Sequence, residues 1–175
     1  VEGTLDGTFR LAALGMRFDL LAERYGVNIV DVFEDSFARV TAGDVTLFAS
    51  KTVLDADHLI DMPVMKTHMQ AMVSLGIKNL KGVLNLASRQ RCHSADPNLD
   101  LNYHLVKLSE MIRPSLTIID GIYTLERGHL YFGDAHRTDI IVVSKDLLSA
   151  DKVGSAVLGI PPQTVPYIAM AAKNK

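Results

Sequence analysis

One cysteine and no tryptophan occur among the 175 residues. The single thiol, Cys92, excludes an intrachain disulfide. It also excludes an iron–sulfur cluster held by this chain alone, because such clusters take several thiolates. On its own Cys92 reads as an inert thiol. No apolar run reaches the roughly 18 residues of a membrane span, and no secretory signal is visible. A cytoplasmic location is therefore the expectation. Neither sign of charge is in excess: 18 Lys and Arg face 20 Asp and Glu, a formal net charge of −2. A nucleic-acid binder would show a positive surplus, so nucleic acid is not an expected partner. Also absent are the Gly-x-Gly-x-x-Gly dinucleotide fingerprint, the Walker loop, the Gly-x-Ser-x-Gly elbow and the His-Glu-x-x-His zinc motif.

What remains is rich in core-forming residues. The hydrophobic share is 48%, ample for a single α/β domain over residues 1–175. Helical spacing runs through Thr8–Tyr25, with Gly26 as its C-terminal stop. A β-prone run, Asn28–Phe33, follows it. Phe37–Val40 and Val45–Ala49 flank a Gly-Asp turn and predict a hairpin. His58–Val64 reads as a strand interrupted by Pro63. Lys66–Lys81 begins with helical spacing and is broken by Gly76 and Gly82. Asn85–Pro97 reads as a loop, with Asp96 and Asn98 as candidate caps for a helix over Leu99–Ile112. Ser115–Ile119 and Thr138–Val143 read as strands buried on both faces, with Glu126–Arg137 as a loop between them. Asp146–Leu158 reads as a helix capped by Ser144, with Asp151 as an exposed or N-terminal charge. Thr164–Ala172 reads as a last helix. The expected fold is α/β: a mixed, mostly parallel sheet flanked by helices, with a small hairpin.

Chemistry concentrates just beyond the His58–Val64 strand. Ligands in open α/β sheets bind beyond strand carboxyl ends. Lys66, Thr67 and His68, then Lys78, Asn79 and Lys81, supply point charges, hydrogen-bond partners and nearby glycines. Such a set can cradle a phosphate or carboxylate; equally, the lysines suit the wet face of a short helix. His93 and His104, with His68, could meet at a divalent metal. Their spacing matches no metal motif, and ordinary surface or hydrogen-bonded histidines fit as well. Asp120, before Gly121 at a strand end, is either a substrate- or cation-positioning carboxylate or a turn residue.

The run Ile60-Asp61-Met62-Pro63-Val64-Met65-Lys66-Thr67-His68, then Gly76-Ile77-Lys78-Asn79-Leu80-Lys81-Gly82, resembles the family of "domain of unknown function 362". Arg113-Pro114 through Asp120-Gly121, Ser144-Lys145-Asp146 with Asp151, and Leu158-Gly159 follow in that family's order. The resemblance covers about Leu21 to Ile168. It implies association with ferredoxin-type iron–sulfur domains in some members and export in others. This chain departs from both, with one cysteine and no signal. The family's upstream Lys-Pro-Asn strand is also missing, so a fragment starting at Val1 is the expectation.

These residues point to an enzyme domain, and the resemblance implies that it is redox-linked. It would bind a small anionic ligand through Lys66, Thr67, Lys78, Asn79 and Lys81, with His68 as acid or base and Asp120 orienting it. The alternatives are a non-catalytic module partnering iron–sulfur proteins and a His/Asp metalloprotein using His68, His93 and His104 with Asp120.

Overall fold

The computed structural model describes residues 9–93, 100–129 and 132–174. Strands β1 (Phe37–Ala42) and β2 (Val45–Ser50) form the expected antiparallel hairpin, closed where Ala42 pairs with Val45. Gly43 takes φ 58° at the turn, a conformation that glycine adopts without a Cβ penalty. The hairpin buries Val45, Leu47 and Ala49 on alternate positions of β2.

The main sheet is built around one long strand, β6 (Leu116–His129). Strands β3 (Ile60–Asp61) and β4 (Val64–His68) run parallel to it, with Ile60 opposite Leu116 and Val64 opposite Asp120. Met62 and Pro63 separate the two, as expected of a residue with no N–H to donate. Strand β5 (Met72–Ser74) lies antiparallel to β4, and β7 (Phe132–Ser144) antiparallel to β6. The sheet is therefore mixed, as expected, with parallel pairing at its centre and antiparallel edges.

Helices cover one face. The principal ones are α6 (Leu101–Met111), α7 (Leu147–Val157) and α8 (Pro166–Lys173). Shorter pieces are α1 (Phe9–Gly15), α2 (Phe18–Tyr25), α3 (Lys51–Leu54), α4 (Gly76–Asn79) and α5 (Leu86–Arg91). Met65, Val73, Ile119 and Val142 from the sheet meet Leu105, Leu108, Leu148, Tyr167 and Ile168 from the helices in one core.

Several expectations change. Of the helix expected over Thr8–Tyr25, the described part from Phe9 is two helices, because Arg17 sits in the left-handed region at φ 57° and breaks the run. Asn28–Phe33 is not a strand. Its end enters a 3₁₀ turn at Val32–Glu34, whose N-cap Asp31 accepts the Phe33 N–H. Lys66–His68 belongs to a strand rather than a helix: its backbone pairs with Met72–Ser74, and the helix starts only at Gly76. Asn85 caps α5 through the Ser88 N–H, so part of the expected loop is helical. Asp100 caps α6 through the Tyr103 N–H, whereas Asp96 and Asn98 lie outside the described residues. The expected loop over Glu126–Arg137 is largely strand on both sides, through residues 126–129 and 132–137. Asp146 rather than Ser144 caps α7, accepting the Ser149 N–H.

The strands expected to be buried on both faces are buried on one only. Val142 is buried, while Ile141 and Val143 are 57% and 59% exposed. Short apolar runs look alike whether one face or both are covered, so periodicity alone could not separate these cases.

Gly121 lets the sheet centre close. A methyl group there would stand 2.9 Å from the Ile140 carbonyl oxygen and 3.0 Å from Met65 Cε. One of these contacts is backbone, so the neighbouring strand would have to shift. Gly121→Ala is expected to destabilise the protein by about 1–3 kcal/mol in urea unfolding, with an unchanged m-value.

Candidate functional site

Burial alternates along the chain from β3 into β4. Asp61, Pro63 and Met65 are buried, whereas Lys66 is exposed and His68 half-buried. Thr67 points with the buried set, and its hydroxyl donates to the Leu125 carbonyl at 3.4 Å. Strand geometry thus places Lys66 and His68 on one face and spends Thr67 on the sheet.

A tight turn follows. His68 Nδ1 accepts the backbone N–H groups of Gln70 and Ala71, both at 3.2 Å. That fixes the neutral ring with its proton on Nε2. Burial, and then the charges of Lys78, Lys81, Lys66 and the nearby His93, hold the imidazole down at about 4. At neutral pH His68 is therefore an uncharged donor through Nε2.

Lys78 rides on α4 and Lys81 on the 3₁₀ turn Leu80–Val83 that continues it. The buried Arg89 guanidinium pins that turn by donating to the carbonyls of Gly82 and Leu84, and it stacks 4.9 Å from the Phe33 ring. Burial, then the charges of Lys81 and Lys66, bring the Lys78 ammonium down to about 8. Lys81 is lowered chiefly by burial, and it donates to His93 Nε2. Among the described residues, none of Lys66, Lys78 and Lys81 forms an ion pair with a carboxylate.

The structure thus gathers Lys66, His68, Lys78, Lys81 and His93 into one electrostatic neighbourhood. Asn79 stands beside it and serves the scaffold, its amide donating to Asp61 Oδ1 at 2.7 Å. Asp120 is exposed and accepts the Ile122 N–H at 2.9 Å. It is not among the charges that bear on His68 or Lys78. His104 is buried in α6, its Nδ1 3.0 Å from the Asp100 carbonyl and its ring edge-on to Tyr103. No group of three or more His, Cys, Asp or Glu side chains placed to hold a metal occurs among the described residues. Burial pushes the Cys92 thiol up to about 11, so it carries no thiolate near neutrality.

Sequence reasoning missed the carboxylates behind α4. Asp151, expected as an exposed or N-terminal charge, is wholly buried on α7. Its two oxygens accept the N–H groups of Gly76 at 2.8 Å and Ile77 at 3.1 Å, and the Tyr167 hydroxyl at 3.0 Å. Asp61 is 5% exposed, and its Oδ2 has no hydrogen-bond partner. A methyl at Gly76 would lie 2.8 Å from Asp61 Oδ2 and 3.0 Å from Asp151 Oδ1. Both acids therefore converge on this glycine. The available signal was position: Asp151 falls four residues after Leu147 and three before Gly154, on the apolar stripe of its helix.

The chain matches a known family over residues 2–156, a span that includes the lysine cluster and both buried acids. The chain belongs to the family described as domain of unknown function (DUF362). A curated relative, a thylakoid-associated protein of Synechocystis sp., is 32% identical over 123 residues, 69% of this chain. The matched stretch spans 38% of that relative's length. No solved structure matches the chain. Among the described residues, no helix is long and apolar enough to cross a membrane.

The buried acids of this DUF362 chain make stability depend on pH. Burial raises Asp61 to about 6, and burial, partly offset by its three donors, raises Asp151 to about 7. Such carboxyls bind more protons folded than unfolded across those intervals, so their contribution is full below about pH 4 and falls as pH rises through them. His68, lowered to about 4, works in the opposite sense up to its unfolded value of 6.5. Asp61→Asn keeps an acceptor for Asn79 and removes the uncompensated charge. It is expected to flatten the decline between about pH 4 and 6 and to gain on the order of 2 kcal/mol at about pH 8, measured by urea unfolding across pH.

Proposed function

We propose that Lys66, Lys78 and Lys81, with the Nε2–H of His68, bind a small anion: a phosphate or carboxylate group. One observation carries this reading. Burial, and then the charges of neighbouring lysines, lower Lys78 and His68, and among the described residues no carboxylate is paired to Lys66, Lys78 or Lys81. Like charges held together in a partly buried setting cost free energy that a bound anion would recover. Lysines on a merely solvated face would spread apart or pair with acids.

The arrangement suits a tetrahedral or planar anion. Lys66 comes from a strand and Lys78 and Lys81 from the following helical turns, so the charges approach from different elements. His68 adds an uncharged donor whose orientation its two backbone hydrogen bonds set. A neutral donor at such a place helps to orient a ligand and adds no further repulsion to the empty site.

Binding is testable by thermal unfolding with inorganic phosphate, sulfate and acetate. A hundredfold excess over Kd contributes about 2.7 kcal/mol, which for a domain of this size raises Tm by about 5–10 °C. Lys66→Gln and Lys81→Gln are each expected to weaken phosphate binding about tenfold. Both are also expected to raise the Tm of the anion-free protein, because each removes a repelling charge. Unchanged Tm with all three anions, or undiminished affinity in both variants, would overturn the reading.

A further inference from the structure

Arg113 and Lys145 stand in motifs that the anion-binding reading does not use. Strand register brings them to one end of the main sheet. Thr117 pairs with Ser144, so the chain enters β6 from Arg113-Pro114 and leaves β7 into Lys145 at the same end. The Ser115 N–H donates to the Leu59 carbonyl at 2.8 Å and ties the entering segment to the chain ahead of β3.

A cavity of about 590 Å³ opens at this end, between α6, α7 and α8. Small-molecule sites run from roughly 300 to 1,000 Å³. Ile77, Val106, Pro114, Leu147, Leu148 and Ala171 make its apolar wall. Ile77, Val106, Leu148 and Ala171 are buried, so this wall is also the floor. Arg113 and Lys145 line the cavity and are exposed, which puts them at its mouth.

The charged lining residues differ in what they already do. The Glu110 carboxylate accepts from Lys107 Nζ at 3.1 Å and from the Asn174 amide at 3.3 Å. Asp146 accepts the Ser149 N–H at 2.7 Å as the cap of α7. The Arg113 and Lys145 side chains have neither an ion pair nor a hydrogen bond among the described residues. Both acids of the lining are thus engaged, and both cations are available.

We propose that this cavity binds a small carboxylic acid with an apolar chain, its carboxylate held by Arg113 and Lys145 and its carbon body lying on Ile77, Val106, Leu147 and Leu148. The planar guanidinium matches a carboxylate with two parallel hydrogen bonds, and the ammonium adds a point charge. Glu110 and Asp146 share the lining, so a single negative charge suits it better than the two of a phosphate monoester. The site shares no residue with the lysine cluster and does not rest on the anion-binding reading.

Octanoate is the probe, added to the full chain and followed by titration calorimetry and by the methyl resonances of Ile, Leu and Val. One saturable site is expected, with the methyls of Ile77, Val106 and Leu148 shifting at the calorimetric Kd. Acetate has the charge without the chain, and octanol the chain without the charge. Each is expected to bind about tenfold more weakly or worse. Arg113→Gln and Lys145→Gln should each weaken octanoate about tenfold. Both side chains are exposed, so both variants should keep the Tm of the parent. Lys66→Gln should leave octanoate affinity unchanged.

Octanol binding as tightly as octanoate, or no saturable binding of octanoate, would overturn the proposal. So would affinity that falls in Lys66→Gln but holds in both cavity variants, which would place the carboxylate on the lysine cluster. Methyl shifts confined to the exposed Ile141 and Val143 would overturn it too, because they mark the open sheet face rather than the cavity.

Discussion

The short helix that carries Lys78 depends on one buried carboxylate. Asp151 reaches from α7 to the start of α4, and three donors meet its two oxygens. Burying a charge is costly unless hydrogen bonds replace the lost water. Here the replacements are the backbone N–H groups of Gly76 and Ile77, which have no partner within so short a helix. A four-residue helix has little stability of its own. The carboxylate supplies what propensity cannot and thereby sets the path of the chain from β5 into Lys78.

The same constraint explains the glycine. Leu147 Cδ1, Asp61 Oδ2 and Asp151 Oδ1 surround the place a Cβ would take at Gly76, at 2.6, 2.8 and 3.0 Å. Any side chain there would have to push Leu147 or one of the two carboxyl groups aside. Tyr167 ties α8 into the arrangement through its hydroxyl, and its own ionisation is pushed well up by burial and by Asp151. Three elements distant in sequence thus converge on one backbone segment.

How much of this the sequence disclosed depends on what kind of signal each part leaves. The hairpin was legible because a Gly-Asp turn between β-prone runs is a local signal. Helices α6 and α7 were legible from apolar spacing. The β4–β5 ribbon was not: Met69, Met72, Val73 and Leu75 carry helical spacing by coincidence, and the pairing of β4 with β5 and β6 decided the matter. Of the candidate site, Lys66, His68, Lys78 and Lys81 could be read only as residue types clustered after a strand. Asp120 and His104 were legible only as types, and the fold sets them to local hydrogen bonds. Asp61 and Asp151 escaped because their importance is non-local, 18 and 75 residues from the groups they hold.

Two opposite costs meet across α4. On one side lie buried acids, one of them with an oxygen that no donor satisfies. On the other lie lysines with no acid to pair with among the described residues. Stability alone would favour joining the two sets, since a buried pair with one partner missing is the costly case. The fold instead keeps them apart, using the acids on backbone amides and on Asn79. Local sequence, packing and polar satisfaction usually agree, and they part company where a site constrains the chain. The separation accords with the proposed anion site: among the described residues no carboxylate neutralises Lys66, Lys78 or Lys81, while Asp61 and Asp151 hold the backbone of α4 and Asn79.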